Sequence, residues 1–348
     1  MSDHSETKST TAMKENKKTP QPEYGLVRNR EGGLTVSPSR TGYCVLSADP
    51  FVVYLPDYFL KSLRNPAWRM LERARWKGAH ILVSLTWSHE NERLARRLAR
   101  RLKHWTSGAR QYHVMASTEG ERALFESLGL DAIHCNHNAF LSEKKFFPTG
   151  VEKKYDAIYD AALAPFKRHE LALEVRNLAL ISYLKSQETR ATAEGIANMM
   201  KQATFLNNPL SGPGSWLNAS SVNEYLNQAH VGLCLSATEG AMFASAQYLL
   251  AGLPVVTTKN RGGRDDFFDE DYVRWVSDTP AAVARAVDEL VAAKINPEFI
   301  RNRTLERMAQ HRSRLVDLMN SLVSEKYPGA IWSDGWPADI PHKLSFSA

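Results

Sequence analysis

Residues 236–258 read SATEGAMFASAQYLLAGLPVVTT, and they follow the apolar run VGLCLS at 231–236. A short apolar run bounded by turn residues reads as a buried strand. The apolar helical stretch after Gly240 and the second run LPVVTT, 253–258, complete a strand–helix–strand unit, which requires a parallel pair. In an open parallel sheet, ligands bind beyond the carboxyl ends of the strands. Ala237, Thr238 and Glu239 fall at that edge, and Gly240 permits a sharp turn. The helix that begins near Met242 and Phe243 turns its unpaired N–H groups to the same place, which makes an anion site. A carboxylate beside an anion site is unfavourable unless a polyol or a developing cation also sits there. A sugar carried on a phosphate offers both.

Outward from this unit, strand and helix patterns alternate. In the first half, AHILVSL (79–85), RQYHVMAS (110–117) and DAIHCN predict strands. ENERLARRLARRLKHW (90–105), with Leu94, Leu98, Leu102 and Trp105 at helical spacing, and EGERALFESLG (119–129) predict helices. In the second half, YDAIYDA (155–161), LALISYL (178–184), ATFLN (203–207), VGLCLS and LPVVTT predict strands. FKRHELALEVR, TAEGIANMMK (192–201), VNEYLNQA (222–229), TPAAVARAVDELVAA (279–293) and a stretch from about 297 to 321 predict helices. The fold class is α/β: two Rossmann-like sheets in tandem, facing each other across a cleft. The loop rich in Pro, Gly and charge that ends near residue 150 is the best boundary. The organisation expected is a disordered arm over 1–40, an N-terminal acceptor domain over 41–150, a donor-binding domain over 151–325 and a tail over 326–348.

The totals agree with this plan. The 348 residues suit two domains, and 43% hydrophobic residues supply large cores. A net charge of +6 leans toward anionic partners. Three cysteines far apart in sequence, Cys44, Cys135 and Cys234, argue against a disulfide framework and a zinc cluster. The N-terminal stretch lacks the apolar core of a signal peptide, and no run is long enough to span a bilayer, so a cytoplasmic location is expected. No Ser-His-Asp order, metal-ligand spacing or P-loop is present.

The 236–258 stretch resembles the donor-site motif of retaining, family-4-like glycosyltransferases with the GT-B fold, the group-1 glycosyl transferases. Glu239-Gly240 and Gly252-Leu253-Pro254-Val255 match that motif, while Gln247 stands where the family has a second Glu. Segment 155–172, YDAIYDAALAPFKRHELA, is similar to the first strand and turn of the family's C-terminal domain. Lys167 takes the place of a Lys that neutralises the donor diphosphate, and Ala162 takes the place of an Arg. Arg168, beside Lys167, is a candidate for the missing charge. Residues 116–148 resemble the chain's crossing between the two domains, and 43–115 is short for the family's first domain.

The resemblance implies transfer of a sugar from a nucleotide-diphosphate sugar to an acceptor, with retention, without a metal, and with no cofactor beyond that co-substrate. It assigns catalysis to Glu239 and Lys167 and donor binding to Arg168, Gly240, Met242, Phe243 and Gln247. His89, at the carboxyl end of a first-half strand, and Trp216 and Leu217, in the loop where the family places the nucleobase, are further candidates. Gln247 and Ala162 leave a second function open, a degenerate nucleotide-sugar-binding module; a nucleotide-sugar isomerase is a third. The cations of helix 93–103 (Arg93, Arg96, Arg97, Arg100, Arg101 and Lys103) suit a solvated face or peripheral contact with an anionic inner-membrane surface. Without interleaved aromatic residues they do not suit nucleic acid.

Overall fold

The computed structural model describes residues 26–28, 34–36, 43–60, 77–105, 111–184, 189–210, 217–338, 340 and 342–344. Within the arm expected to be disordered, β1 (Leu26–Arg28) and β2 (Leu34–Val36) pair antiparallel; the rest of 1–40 lies outside the described residues.

The first large sheet runs β3 (Cys44–Ala48), β4 (Phe51–Pro56), β5 (His80–Ser84), β6 (Gln111–Ala116) and β7 (Asp131–His134), in that spatial order. β4 to β7 are parallel, and β3 pairs antiparallel with β4. The sequence pattern does not reveal β4: the Asp49-Pro50 turn joins it to β3 as a hairpin, which interrupts the β–α alternation. α1 (Glu92–Trp105) and α2 (Glu119–Ser127) cover this sheet. The α1 stripe differs from the leucine pattern. Ala95, Leu98, Ala99 and Leu102 are buried, while Leu94 is 40% exposed.

The second sheet contains β8 (Tyr155–Ala162), β9 (Leu178–Tyr183), β10 (Thr204–Phe205), β11 (Ala229–Cys234), β12 (Val255–Thr258) and β13 (Val273–Val276). All are parallel, in the order β10-β9-β8-β11-β12-β13. This is the doubly wound Rossmann order, whose sense reverses between the first strand and the fourth, here β8 and β11. Helices α3 (Arg190–Met199), α4 (Ala219–Asn227) and α5 (Phe243–Leu250) connect successive strands from β9 to β12, and α6 (Pro280–Ala293) follows β13 and packs back on the sheet. The helix expected over FKRHELALEVR is instead two 3₁₀ turns, Pro165–Lys167 and His169–Ala172. Arg168 between them has φ 53°, a left-handed backbone that no α-helix continues through.

α7 (Pro297–Lys326) then crosses back to the first sheet. Its buried side chains include Ile300, Met308, Leu315 and Met319. Arg312 donates to the carbonyls of Ala139 (2.8 Å) and Leu141 (3.0 Å) and pairs with Glu143. The tail beyond α7 is folded against the first sheet: the Trp332 indole donates to Leu46 O at 3.0 Å. One apolar core joins both halves, from Val52 and Leu82 through Phe140 to Ile158, Leu249 and Met319. Cys44, Cys135 and Cys234 are all buried thiols.

Candidate active site

β8 and β11 lie side by side where the strand order reverses, so the loops leaving them open a crevice at the carboxyl rim of the second sheet. A cavity of about 470 Å³ occupies it, lined from the second half by Asp160, Lys167, Glu239, Phe243 and Gln247 and from the first by Thr86 and His137. Lys167 Nζ donates to Glu239 Oε2 at 2.5 Å, with both side chains nearly buried. The turn after β8 holds Lys167, whose carbonyl accepts from the Tyr159 hydroxyl at 2.5 Å. The loop after β11 holds Glu239, whose N–H donates to Arg261 O at 3.1 Å. Sequence spacing and the fold therefore bring the two residues assigned to catalysis into direct contact.

Met242, Phe243 and Gln247 line the same cavity. α5 begins behind Met242, at φ 50°, and no side chain caps its first turn. Met242, Phe243 and Ala244 at this start line the cavity, and an uncapped helix start is a favourable place for an anion. The first half steadies this start, since Asn138 Nδ2 donates to Ala241 O (2.5 Å) and Met242 O (3.2 Å). Leu217 also lines the cavity, and Trp216 lies outside the described residues.

Three expected residues sit elsewhere. Arg168 turns away from the cavity: its guanidinium donates to Leu235 O (2.6 Å) and Thr258 Oγ1 (2.5 Å) and pairs with Asp278 (2.7 Å). The left-handed backbone that separates the two turns sends the side chain behind the sheet rim. His89, in the loop after β5, is buried against α2, its ring near Phe125, its Nδ1 donating to Trp87 O at 2.8 Å and its backbone N–H donating to Glu121 at 2.6 Å. Gly240 is not part of the lining. A Cβ there would lie 2.5 Å from Thr86 O, so this glycine lets the two halves touch. Gly262 does the same with more severity: at φ 112°, a Cβ would lie 1.9 Å from Glu239 O and 2.8 Å from Ser88 Cβ.

Other residues enter unannounced. Asp160, at the end of β8, has its carboxyl pushed up to about 6 by burial, against the pull of Lys167 and Lys343. A strand-end rule applied to YDAIYDA would have found it. Burial holds the His137 imidazole down at about 4, so it is neutral in this crevice. Its ring meets Phe243 edge-on at 4.9 Å. Thr86 is held by Asp57, which accepts from its N–H at 3.0 Å and its hydroxyl at 2.5 Å. Arg264, fully buried, donates to Ser236 O (2.6 Å), Thr257 Oγ1 (2.7 Å) and Thr258 O (2.7 Å), which ties together the ends of β11 and β12.

The fold also assembles a group that sequence spacing does not suggest, in which ligand atoms of His134, Asp266 and His311 lie within 4.8 Å of one another. Two ring nitrogens flank the carboxylate, His134 Nε2 at 3.1 Å and His311 Nε2 at 3.2 Å. Asn136 N–H donates to His311 Nδ1 at 3.3 Å, so the neutral ring carries its proton on Nε2. That nitrogen faces Asp266 as a donor, not as a metal ligand. The trio is a hydrogen-bonded latch between the first sheet, the loop after β12 and α7.

No family model matches the sequence, and no curated protein matches it. Solved structures do. A sucrose-phosphate synthase from Thermosynechococcus elongatus is similar over 80% of this chain and 74% of its own, with TM-score 0.55 at 14% identity. The N-terminal domain of a Candida albicans trehalose-6-phosphate phosphatase is similar over 74% of this chain and 66% of its own, with TM-score 0.50 at 11% identity. Anabaena HepE, solved with UDP, covers 70% of this chain and 72% of its own, with TM-score 0.46 at 11% identity. Strand order, the crossing of α7 and the first two of these likenesses together establish the GT-B fold, two Rossmann-like α/β halves about a cleft.

Proposed function

We propose that this protein is a glycosyltransferase that takes its sugar from a nucleoside-diphosphate donor, with retention and without a metal. The observation that carries the reading is the Lys167–Glu239 pair, which shares one cavity with Gln247 and the uncapped start of α5. In this reading the diphosphate lies against the first turn of α5 and Lys167. Breaking the sugar–phosphate bond leaves negative charge on the phosphate, and preorganised N–H groups and an ammonium stabilise it. Glu239, released from Lys167 by the phosphate, faces the sugar and favours its cationic transition state. Gln247 meets the ribose hydroxyls as a neutral donor and acceptor.

The test is release of nucleoside diphosphate from a panel of donor sugars. Wild-type protein is expected to turn over at least one donor, and Glu239→Gln to lose about 10²–10³-fold in kcat. Equal rates in the two proteins would remove Glu239 from the chemistry.

A second reading, a binding module without turnover, is favoured by Ala162, a buried methyl at the end of β8 where the resemblance has an Arg. Nucleoside diphosphate binding with no turnover of any donor would select it.

We also place contact with anionic membrane on α1, where Arg93, Arg96, Arg97 and Arg100 are exposed beside the exposed Leu94. Among the described residues no helix is long and apolar enough to cross a membrane. Surface attachment through basic side chains and an apolar contact requires no such helix.

A further inference from the structure

The tail that follows α7 returns to the crevice. Lys343 lines the same cavity as Lys167, Asp160 and Glu239. Its Nζ lies 4.3 Å from the centroid of Phe243, the first residue of α5, and so beside the uncapped helix start. We propose that Lys343 is a phosphate-binding residue of this site, the second cation that a diphosphate requires, delivered by the C-terminal tail. The inference rests on the donor reading above.

Charge balance is the first reason. Lys167 is already matched by Glu239 at 2.5 Å, and Asp160 faces the same space. Without another cation the crevice holds at best a neutral pair, which offers a diphosphate little attraction. The Lys343 ammonium rests on an aromatic ring and, among the described residues, forms no ion pair. Burial disfavours its charged form, and Asp160 only partly offsets this. A desolvated, under-neutralised ammonium gains from an arriving anion.

Delivery is the second reason. Anchors hold the tail on both sides of Lys343. Trp336 stacks on Phe140 with centroids 5.5 Å apart, Ser142 N–H donates to His342 Nδ1 at 3.0 Å, and Leu344 is 3% exposed. Lys343 itself has φ 61°, a left-handed bend uncommon for a side-chain-bearing residue. The ordering of this long side chain is therefore largely complete before a ligand arrives.

The test is calorimetric titration of the full chain with inorganic pyrophosphate and with ADP, GDP and UDP, at low and moderate salt. Lys343→Met is expected to weaken pyrophosphate binding about 10-fold or more and to flatten its salt dependence. Lys343→Arg is expected to stay within a few-fold of wild type. If Lys343→Met does not fold by circular dichroism, the comparison of Lys343→Gln with Lys343→Arg decides instead. Gln weak and Arg strong supports the proposal, and equal affinities overturn it. Wild-type binding matched by Lys343→Met removes Lys343 but leaves the donor reading standing. Tighter binding by Lys343→Met makes the tail an obstruction and overturns the proposal. If wild-type protein binds neither pyrophosphate nor any of the three nucleotides at millimolar concentration, the donor reading and this inference fall together.

Discussion

Lys167 and Glu239 neutralise each other in a nearly buried contact, so each is costly to remove alone. Lys167→Met leaves a buried carboxylate without its partner, and a loss of about 3–5 kcal/mol in unfolding free energy is expected by urea titration. Adding Glu239→Gln to that variant should restore a large part of the loss; purely additive losses would show that the two do not act as a pair. His169 is a contrasting case. It is 1% exposed, neither ring nitrogen has a hydrogen-bond partner among the described residues, and burial holds it down at about 4. Leucine there removes two orphaned polar atoms, so His169→Leu is expected to raise stability by about 1 kcal/mol at neutral pH and by more in mild acid. A lowered melting temperature for this variant would point to a partner for the ring.

At the scale of elements, the loop after β12 supports the loop that carries Glu239. Arg261 N–H donates to Ala237 O at 3.0 Å, and Gly262 passes beneath Glu239 O. Gly262→Ala combines a steric clash with a left-handed backbone. A loss of at least about 2 kcal/mol is expected, together with a fall in kcat, because Glu239 must shift. Stability and turnover unchanged by this variant would show that the contact is not tight in solution. For α1, co-sedimentation with vesicles containing anionic phospholipid, lost at high salt, is the expected behaviour. Replacing Arg96, Arg97 and Arg100 by Glu should abolish it without altering the circular dichroism spectrum. Binding unaffected by those changes would leave α1 a solvated face.

For the whole molecule, histidines that desolvation keeps neutral set the response to acid. Among the described residues, His80, His137, His169, His230, His311 and His342 are held below the usual histidine value, chiefly by burial. The unfolded chain takes up these protons near pH 6.5 and the folded chain does not, so this contribution is present above pH 6.5 and is lost as pH falls toward 4. Glu121, Asp160 and Asp265 act in the opposite sense, because burial raises them and the fold binds their protons more readily. The histidines outnumber them. Stability is expected to fall between pH 6.5 and 4.5 by about 1 kcal/mol per pH unit or more. Denaturation midpoints that stay level or rise across that range would contradict the desolvated, neutral state of these rings.

The sequence by itself determined the α/β class, the two-sheet plan and the convergence of Glu239 and Lys167. These rest on local period and on a general property of parallel sheets, that loops leaving adjacent strands meet at one rim. The same reasoning located the start of α5 and Gln247. What only the tertiary structure decided is whatever depends on direction or on distant chain. Arg168 is adjacent to Lys167 in sequence yet points behind the rim, because a single left-handed residue reverses its side chain. Gly240 serves the contact between halves, since the backbone of Thr86 approaches it from the other sheet. His137 takes the place expected for His89 at the cavity, because the loop after β5 brings Thr86 to the crevice but turns His89 toward Glu121 and Asp57. Lys343 carries no periodicity or motif that marks it. Its place beside Phe243 follows from α7 recrossing the molecule and from the anchors that fold the tail back. Local pattern encodes which elements form, while the packing of elements far apart in the chain selects which side chains share a cavity.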